Sequence, residues 1–248
     1  MRVCVWRTGH EIADTVGVAA HQSLEGSRVF NCSTMCVEDI SSIVSEFDIH
    51  IGYGILRSMD DVFRECDRQG KPWFNIDKGY WKPGHFGGYY RVSLRGTQQV
   101  SGWPEPDWER WKALGIEVED WKWQDGNVLV CPPTDYVREF LDMKYWDWDC
   151  KASEVPLIRH KDAAYEICWQ QTKRVITFNS SVGWEALRRG IPCESDPVHS
   201  IVGAWQTIHG TDKREELFAT MAGLQLTLDE MRAGKLWPLM EKLLAKAG

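Results

Sequence analysis

Two hydrophobic rhythms alternate along the first third of the chain. Residues 2–6 read as a short strand, and residues 11–24 carry apolar positions at helical spacing, with Gly26 as a C-cap. Arg28–Cys32 is a second strand and Val37–Glu46 a helix with Asp39 near its start. Phe47–Tyr53 alternates at period two and reads as a strand. Met59–Gln69 places Met59, Val62, Phe63 and Cys66 on one helical face and stops at Gly70, before a strand at Pro72–Ile76. Strand followed by helix, repeated, predicts a parallel α/β unit over 1–77.

The pattern then breaks. Residues 78–124 hold many aromatics and glycines and one helical stretch, Asp107–Leu114, and read as a connector carrying functional loops. Alternation resumes with strands at 128–131, 155–159, 174–178 and 191–194 and helices at 136–143, 163–171 and 182–189. This defines a second unit over 125–205. Residues 206–248 read as terminal helices, 213–223 and 227–246, the latter broken near Gly234 and Pro238. The fold class expected is α/β with two Rossmann-like parallel-sheet domains.

Composition removes several classes of function. No apolar run reaches the roughly 18 residues that a membrane-spanning helix needs, so no membrane partner is expected. The first apolar stretch meets Arg7, His10 and Glu11 too soon for a signal-peptide core, which predicts a cytoplasmic protein. The net charge of −7 argues against a non-specific nucleic-acid coat protein. Eight cysteines are scattered, and Cys32 and Cys36 lack a matching second pair, so they read as buried hydrophobes rather than zinc ligands.

Four places carry candidate chemistry. Asn179-Ser180-Ser181-Val182-Gly183 lies at a strand-to-helix junction, where open α/β sheets bind ligands and free amides favour phosphate. There Ser180 and Ser181 would donate hydroxyls, and Gly183 would let a ligand approach the backbone. Arg159 and Lys161 close the preceding strand and, one residue apart, point to the same side of an extended chain. Pro133 follows the strand before that. Two groups lie just past N-terminal strand ends, His10 and Asp77, each able to serve as a general base or to be a plain turn residue. Residues 78–104 hold Lys78, Lys82, Arg91 and Arg95 with no acid, interleaved with Tyr80, Tyr90 and other aromatics. That mixture suits phosphate contact with base or sugar stacking, or a packed connector with solvated cations.

The stretch 177–192, Thr-Phe-Asn-Ser-Ser-Val-Gly-Trp-Glu-Ala-Leu-Arg-Arg-Gly-Ile-Pro, resembles the donor-binding segment of GT-B glycosyltransferases, in particular the capsular-polysaccharide and sialyl/Kdo-transferase-like branches. The resemblance implies a compact GT-B-like arrangement, two Rossmann-like domains facing across a cleft, with a nucleotide-sugar donor (UDP- or another NDP-sugar). It implies donor contacts from Ser180, Ser181, Gly183 and Glu185, and a basic strand end such as Arg159 and Lys161 facing the diphosphate. No metal is then required if those cations and the helix N-terminus neutralise the leaving group. Asp147-Trp148-Asp149 has the spacing of a metal-binding carboxylate pair but lies outside the βα pattern. Phe74–Trp81 also looks like a segment of phage-encoded proteins, which implies DNA with a modified base, such as a hydroxymethylpyrimidine, as acceptor. Lys78, Tyr80, Lys82, Tyr90, Arg91 and Arg95 would then grip the strand. The alternatives are another nucleotide-sugar enzyme, such as an epimerase, and a non-enzymatic nucleic-acid-binding protein.

Overall fold

The computed structural model describes residues 1–24, 28–33, 39–84, 86–148, 154, 156–160 and 166–247. Gly26, Val37, Val155, Lys161 and Ala163–Tyr165, all assigned roles or elements above, lie outside the described residues, as does Asp149. Two compact units divide the chain: residues 1–114 with 219–248, and residues 115–218.

In unit 1, β1 (Arg2–Arg7), α1 (Glu11–Ser23), β2 (Arg28–Ser33), α2 (Ile40–Glu46), β3 (Ile49–Tyr53), α3 (Met59–Arg68) and β4 (Trp73–Lys78) alternate as predicted. β2, β1, β3 and β4 pair in parallel in that order. β1, β3 and the first part of β4 are buried on both faces, as central parallel strands covered by helices require. This explains why His50, on a strand that reads as alternating, is fully buried. Trp6 Nε1 donates to its Nδ1 at 3.1 Å, and burial pushes its pKa down to about 4.

The sheet does not end at residue 77. β5 (Tyr89–Leu94) adds antiparallel to β4, and α4 (Trp108–Leu114) follows. Segment 78–95 is therefore part of the unit rather than a connector. Gly88 permits close packing rather than slack: a Cβ on it would lie 2.1 Å from the Gly84 nitrogen.

Unit 2 contains β6 (Asn127–Cys131), α5 (Asp135–Phe140), β7 (Pro156–Ile158), β8 (Thr172–Thr177), α6 (Val182–Arg188), β9 (Cys193–Ser195) and α7 (Ile201–His209). Its four strands are parallel, in the order β7-β6-β8-β9. Val128, Val130 and Ile176 form the core of one face, with Trp146 and Trp148 packed against it. The helix expected over 163–171 is absent from its described part: residues 166–168 are irregular and Trp169–Gln171 is a single 3₁₀ turn.

The boundary between the units falls inside α8 (Arg214–Gly223). Beyond it, β10 (Gln225–Thr227), α9 (Leu228–Arg232) and α10 (Leu236–Ala247) return to unit 1. β10 pairs antiparallel with β5, so the tail completes the first sheet instead of standing apart. Arg110 ties it in, donating to both Glu230 oxygens at 2.8 and 2.7 Å and to the Gln225 carbonyl at 3.0 Å. The helix expected over 227–246 breaks near Gly234, as predicted, but not at Pro238. Proline is the third residue of α10, where its nitrogen would have had no helical acceptor.

Candidate functional site

In unit 2, β7 lies on one side of β6 and β8 on the other, so the chain reverses its direction across the sheet between β6 and β8. Open α/β folds bind ligands in the crevice at the carboxyl ends beside such a reversal. Three strand ends meet there. Phe178 N donates to the Cys131 carbonyl at 3.2 Å, fastening the end of β8 to the end of β6, where Pro132 and Pro133 follow. Arg159 N donates to the Val130 carbonyl at 2.8 Å, which brings the residue after β7 to the same edge. Burial pushes the Cys131 thiol up to about 11, and the Arg159 charge opposes that rise, so this guanidinium acts at the end of β6.

The loop is built by Thr177, whose Oγ1 donates to the Cys131 carbonyl and accepts from Ser180 N at 3.1 Å. Ser180 Oγ then accepts from Val182 N at 3.3 Å, so this serine caps α6. Ser181 is exposed, and its side chain makes no capping bond. The motif thus keeps one hydroxyl for the helix and turns the other to solvent.

Two expectations are corrected. Gly183 does not open the backbone to a ligand. A Cβ there would stand 3.1 Å from Thr177 Cγ2 and 3.4 Å from Cys193 Sγ, so glycine lets α6 lie close on the sheet. Glu185 turns along its own helix, 3.1 Å from Arg188, rather than toward the loop.

His199, not singled out in the sequence, lies beside this loop. Its partly exposed ring stacks at a tilt 5.2 Å from Phe178, beside the loop, on a turn where Asp196 Oδ1 accepts from the Val198 and His199 amides. The only available signal was the Asp196-Pro197 turn after β9.

The carboxyl edge of unit 1 also has a reversal, between β1 and β3. His10 is the N-cap residue of α1 without capping it, and its Nδ1 is buried with no hydrogen-bond partner. Thr8 Oγ1 and Asp14 Oδ1 are in the same condition, while the other Asp14 oxygen lies 3.3 Å from Arg7. Asp77 differs: Oδ2 accepts from Arg91 at 2.7 Å and Oδ1 from the Lys78 amide at 2.7 Å. Arg91 is used up within the fold, also donating to the carbonyls of Lys78 and Thr97. Burial, then the Asp77 charge, pushes the Tyr53 phenol upward, which places it by the same pair.

The basic aromatic segment does not form one binding face. Tyr80 and Tyr90 are 2% and 1% exposed. Lys78 and Lys82 are exposed, Lys78 at the carboxyl end of β4. Arg95 N instead bonds the Trp73 carbonyl at the amino end, roughly 17 Å away along the strand.

Among the described residues, no group of three or more His, Cys, Asp or Glu could hold a metal ion, and no helix is long and apolar enough to cross a membrane.

The two sheets define an α/β chain with a reversal of strand order in each. No protein-family model and no curated protein matches it. Among solved structures it is similar to Thermosulfurimonas dismutans KpsC, a beta Kdo 2,7 transferase, at 9% identity, covering 94% of this chain and 98% of that one, with a TM-score of 0.44. Aspartate transcarbamoylase from Trypanosoma cruzi, ligand-free, is similar at 11% identity over 95% of this chain and 82% of that one, with a TM-score of 0.28.

Proposed function

We propose that the chain is a glycosyltransferase whose nucleotide-sugar donor is held at the carboxyl edge of unit 2. The observation that carries this is the convergence of Arg159, Pro133 and the Asn179–Ser181 loop at the β6/β8 reversal, in the stretch that resembles a donor-binding segment. Arg159 would face the diphosphate, Ser181 would donate its free hydroxyl, and Lys161 would add a second cation. No metal is part of this proposal, because cations and amides supply the charge the leaving group needs.

A transfer also requires a base for the acceptor hydroxyl. His10 suits that role better than Asp77, since its Nδ1 has no partner and the Asp77 carboxylate is held by Arg91. Support for the finer version, a hydroxymethylpyrimidine in phage DNA, narrows to the Phe74–Trp81 resemblance and the exposed Lys78 and Lys82. Mass spectrometry of hydroxymethylated DNA incubated with the protein and a panel of nucleotide sugars decides that acceptor.

Calorimetry with UDP and CMP tests the donor edge. Arg159→Ala and Ser181→Ala each weaken binding of the preferred nucleotide, by about tenfold or more for the arginine. Unchanged affinity in both variants would remove this edge from the mechanism.

A further inference from the structure

Unit 2 has a cavity of about 490 Å³ at the amino ends of its strands. Lys173 and Arg174 near the start of β8 line it, with Pro192 just before β9. The donor loop follows the other end of β8, roughly 20 Å away.

The floor is a chain of ion pairs. Arg174 donates to Glu154 through Nη2 at 2.6 Å and Nε at 3.2 Å, and its other terminal nitrogen meets Glu194. Lys173 Nζ lies 3.1 Å from the same Glu154, whose side chain is 2% exposed. Such a bidentate, desolvated pairing fixes the floor in one geometry.

The rim is Trp123, 84% exposed, the most exposed large hydrophobic side chain among the described residues. Slack does not explain its exposure, because its neighbours are tied down. Lys122 N bonds the Gly190 carbonyl at 2.7 Å, and Gln124 Nε2 donates to the carbonyls of Trp169 and Thr172 at 2.8 and 2.7 Å. Gly126 presses against the Gln171 carbonyl so closely that a Cβ would stand 2.2 Å from it. The fold holds an indole in water beside a polar cavity.

The lining limits what can bind. Apart from Trp123 and Pro192, every lining residue carries a polar or charged group on an aliphatic stem, so a wholly apolar ligand would desolvate those groups without a partner. Asp125, Glu154 and Glu194 outnumber Lys173 and Arg174, and both cations are already paired, which disfavours an anion. Those same cations disfavour a simple ammonium ligand. What remains is a neutral ligand with a flat C–H face and many hydroxyls. The indole would take the face, the Asp125 and Glu194 carboxylates would accept from hydroxyls, and Lys173 would donate to one. The volume falls within the range of small-ligand sites.

We propose that this cavity is a non-catalytic saccharide-binding site that takes a neutral hexopyranose unit of an oligosaccharide. It is separate from the donor edge and stands whether or not that edge binds a nucleotide.

Saturation-transfer NMR on the full chain with maltotriose, cellotriose and N,N′,N″-triacetylchitotriose, in separate samples, tests it. At least one trisaccharide gives saturable transfer with a Kd below about 10 mM. That signal disappears in Trp123→Ala, returns in part in Trp123→Phe, and falls about tenfold in affinity in Glu194→Gln. Ser181→Ala leaves it unchanged. Trp123 is exposed, so its variants keep the wild-type melting temperature. Absence of saturable transfer from all three sugars would overturn the proposal. So would equal binding by Trp123→Ala, or displacement of the sugar by millimolar choline or UDP.

Discussion

The loop 178–183 and the segment 78–95 present similar chemistry in the sequence, and the fold uses them in opposite ways. Each follows a parallel strand, each is rich in groups that suit a phosphorylated ligand, and each contains glycines. In the loop, backbone and Thr177 make the turn, and the Ser181 hydroxyl is left facing solvent. In the segment, Tyr80, Trp81, Tyr90 and Arg91 are consumed in building a strand, its hairpin and the Asp77 pair. Residue type says which interactions a side chain can make. Position relative to a strand end decides whether the ligand or the protein receives them.

Replacing Tyr90 is the most severe way to test that contrast. Its ring is buried on β5 and meets Tyr53 edge-on, with centroids 6.2 Å apart. Tyr90→Ala should cost about 3–5 kcal/mol of stability, read as a large drop in urea midpoint. Ser181→Ala should leave the midpoint within about 0.5 kcal/mol of wild type. A Tyr90→Ala protein of normal stability would mean that the segment is a binding surface after all, and the contrast would fail.

How much was legible follows the same physics. The strand–helix rhythm of residues 1–77 appeared at once, because short strands alternating at period two are separated by helical spacing, and α3 has a single apolar face. The strand-to-helix turn at 179–183 was legible because a Ser-Ser-x-Gly turn after an apolar run is local. β5 was not read, although Tyr90 and Val92 alternate with Arg91 and Ser93, because the glycines at 84, 87 and 88 just before it made the whole segment look like a loop. β10 has three residues and depends on a partner strand well over a hundred residues earlier, which no local pattern records. The Arg91–Asp77 pairing follows from the β4–β5 hairpin and was missed with β5. His199 was hidden because α7 went unassigned.

A second contrast sets the interior of unit 1 against its edge, through His50 and His10. His50 is sealed and neutral, with a pKa of about 4 against an ordinary 6.5. An unfolded chain therefore takes up a proton there that the native state refuses. Stability from this group is present above pH 6.5 and is lost as pH falls toward 4, by about 3 kcal/mol in all. His50→Asn keeps an acceptor for Trp6 and removes the titration, so its melting temperature should fall less steeply over that interval. An identical slope in the variant would show that other groups carry the acid sensitivity.

The smallest effects are expected at the exposed cations of the segment, and they decide whether it touches nucleic acid. Lys78→Ala and Lys82→Ala remove charges with no ion-pair partner within 4 Å among the described residues, so stability should move by less than about 0.5 kcal/mol. Their spacing from Arg95 along β4 leaves no continuous basic track for a phosphate backbone. Binding to single-stranded DNA should then be weak at physiological salt, with neither substitution altering its salt dependence. If instead each substitution lowers the slope of log affinity against log salt by about one, each lysine neutralises a phosphate in the complex. The segment would then combine a buried aromatic frame with a genuine nucleic-acid edge at Lys78 and Lys82. The contrast with the unit 2 loop would then rest on the buried aromatics and Arg91 alone.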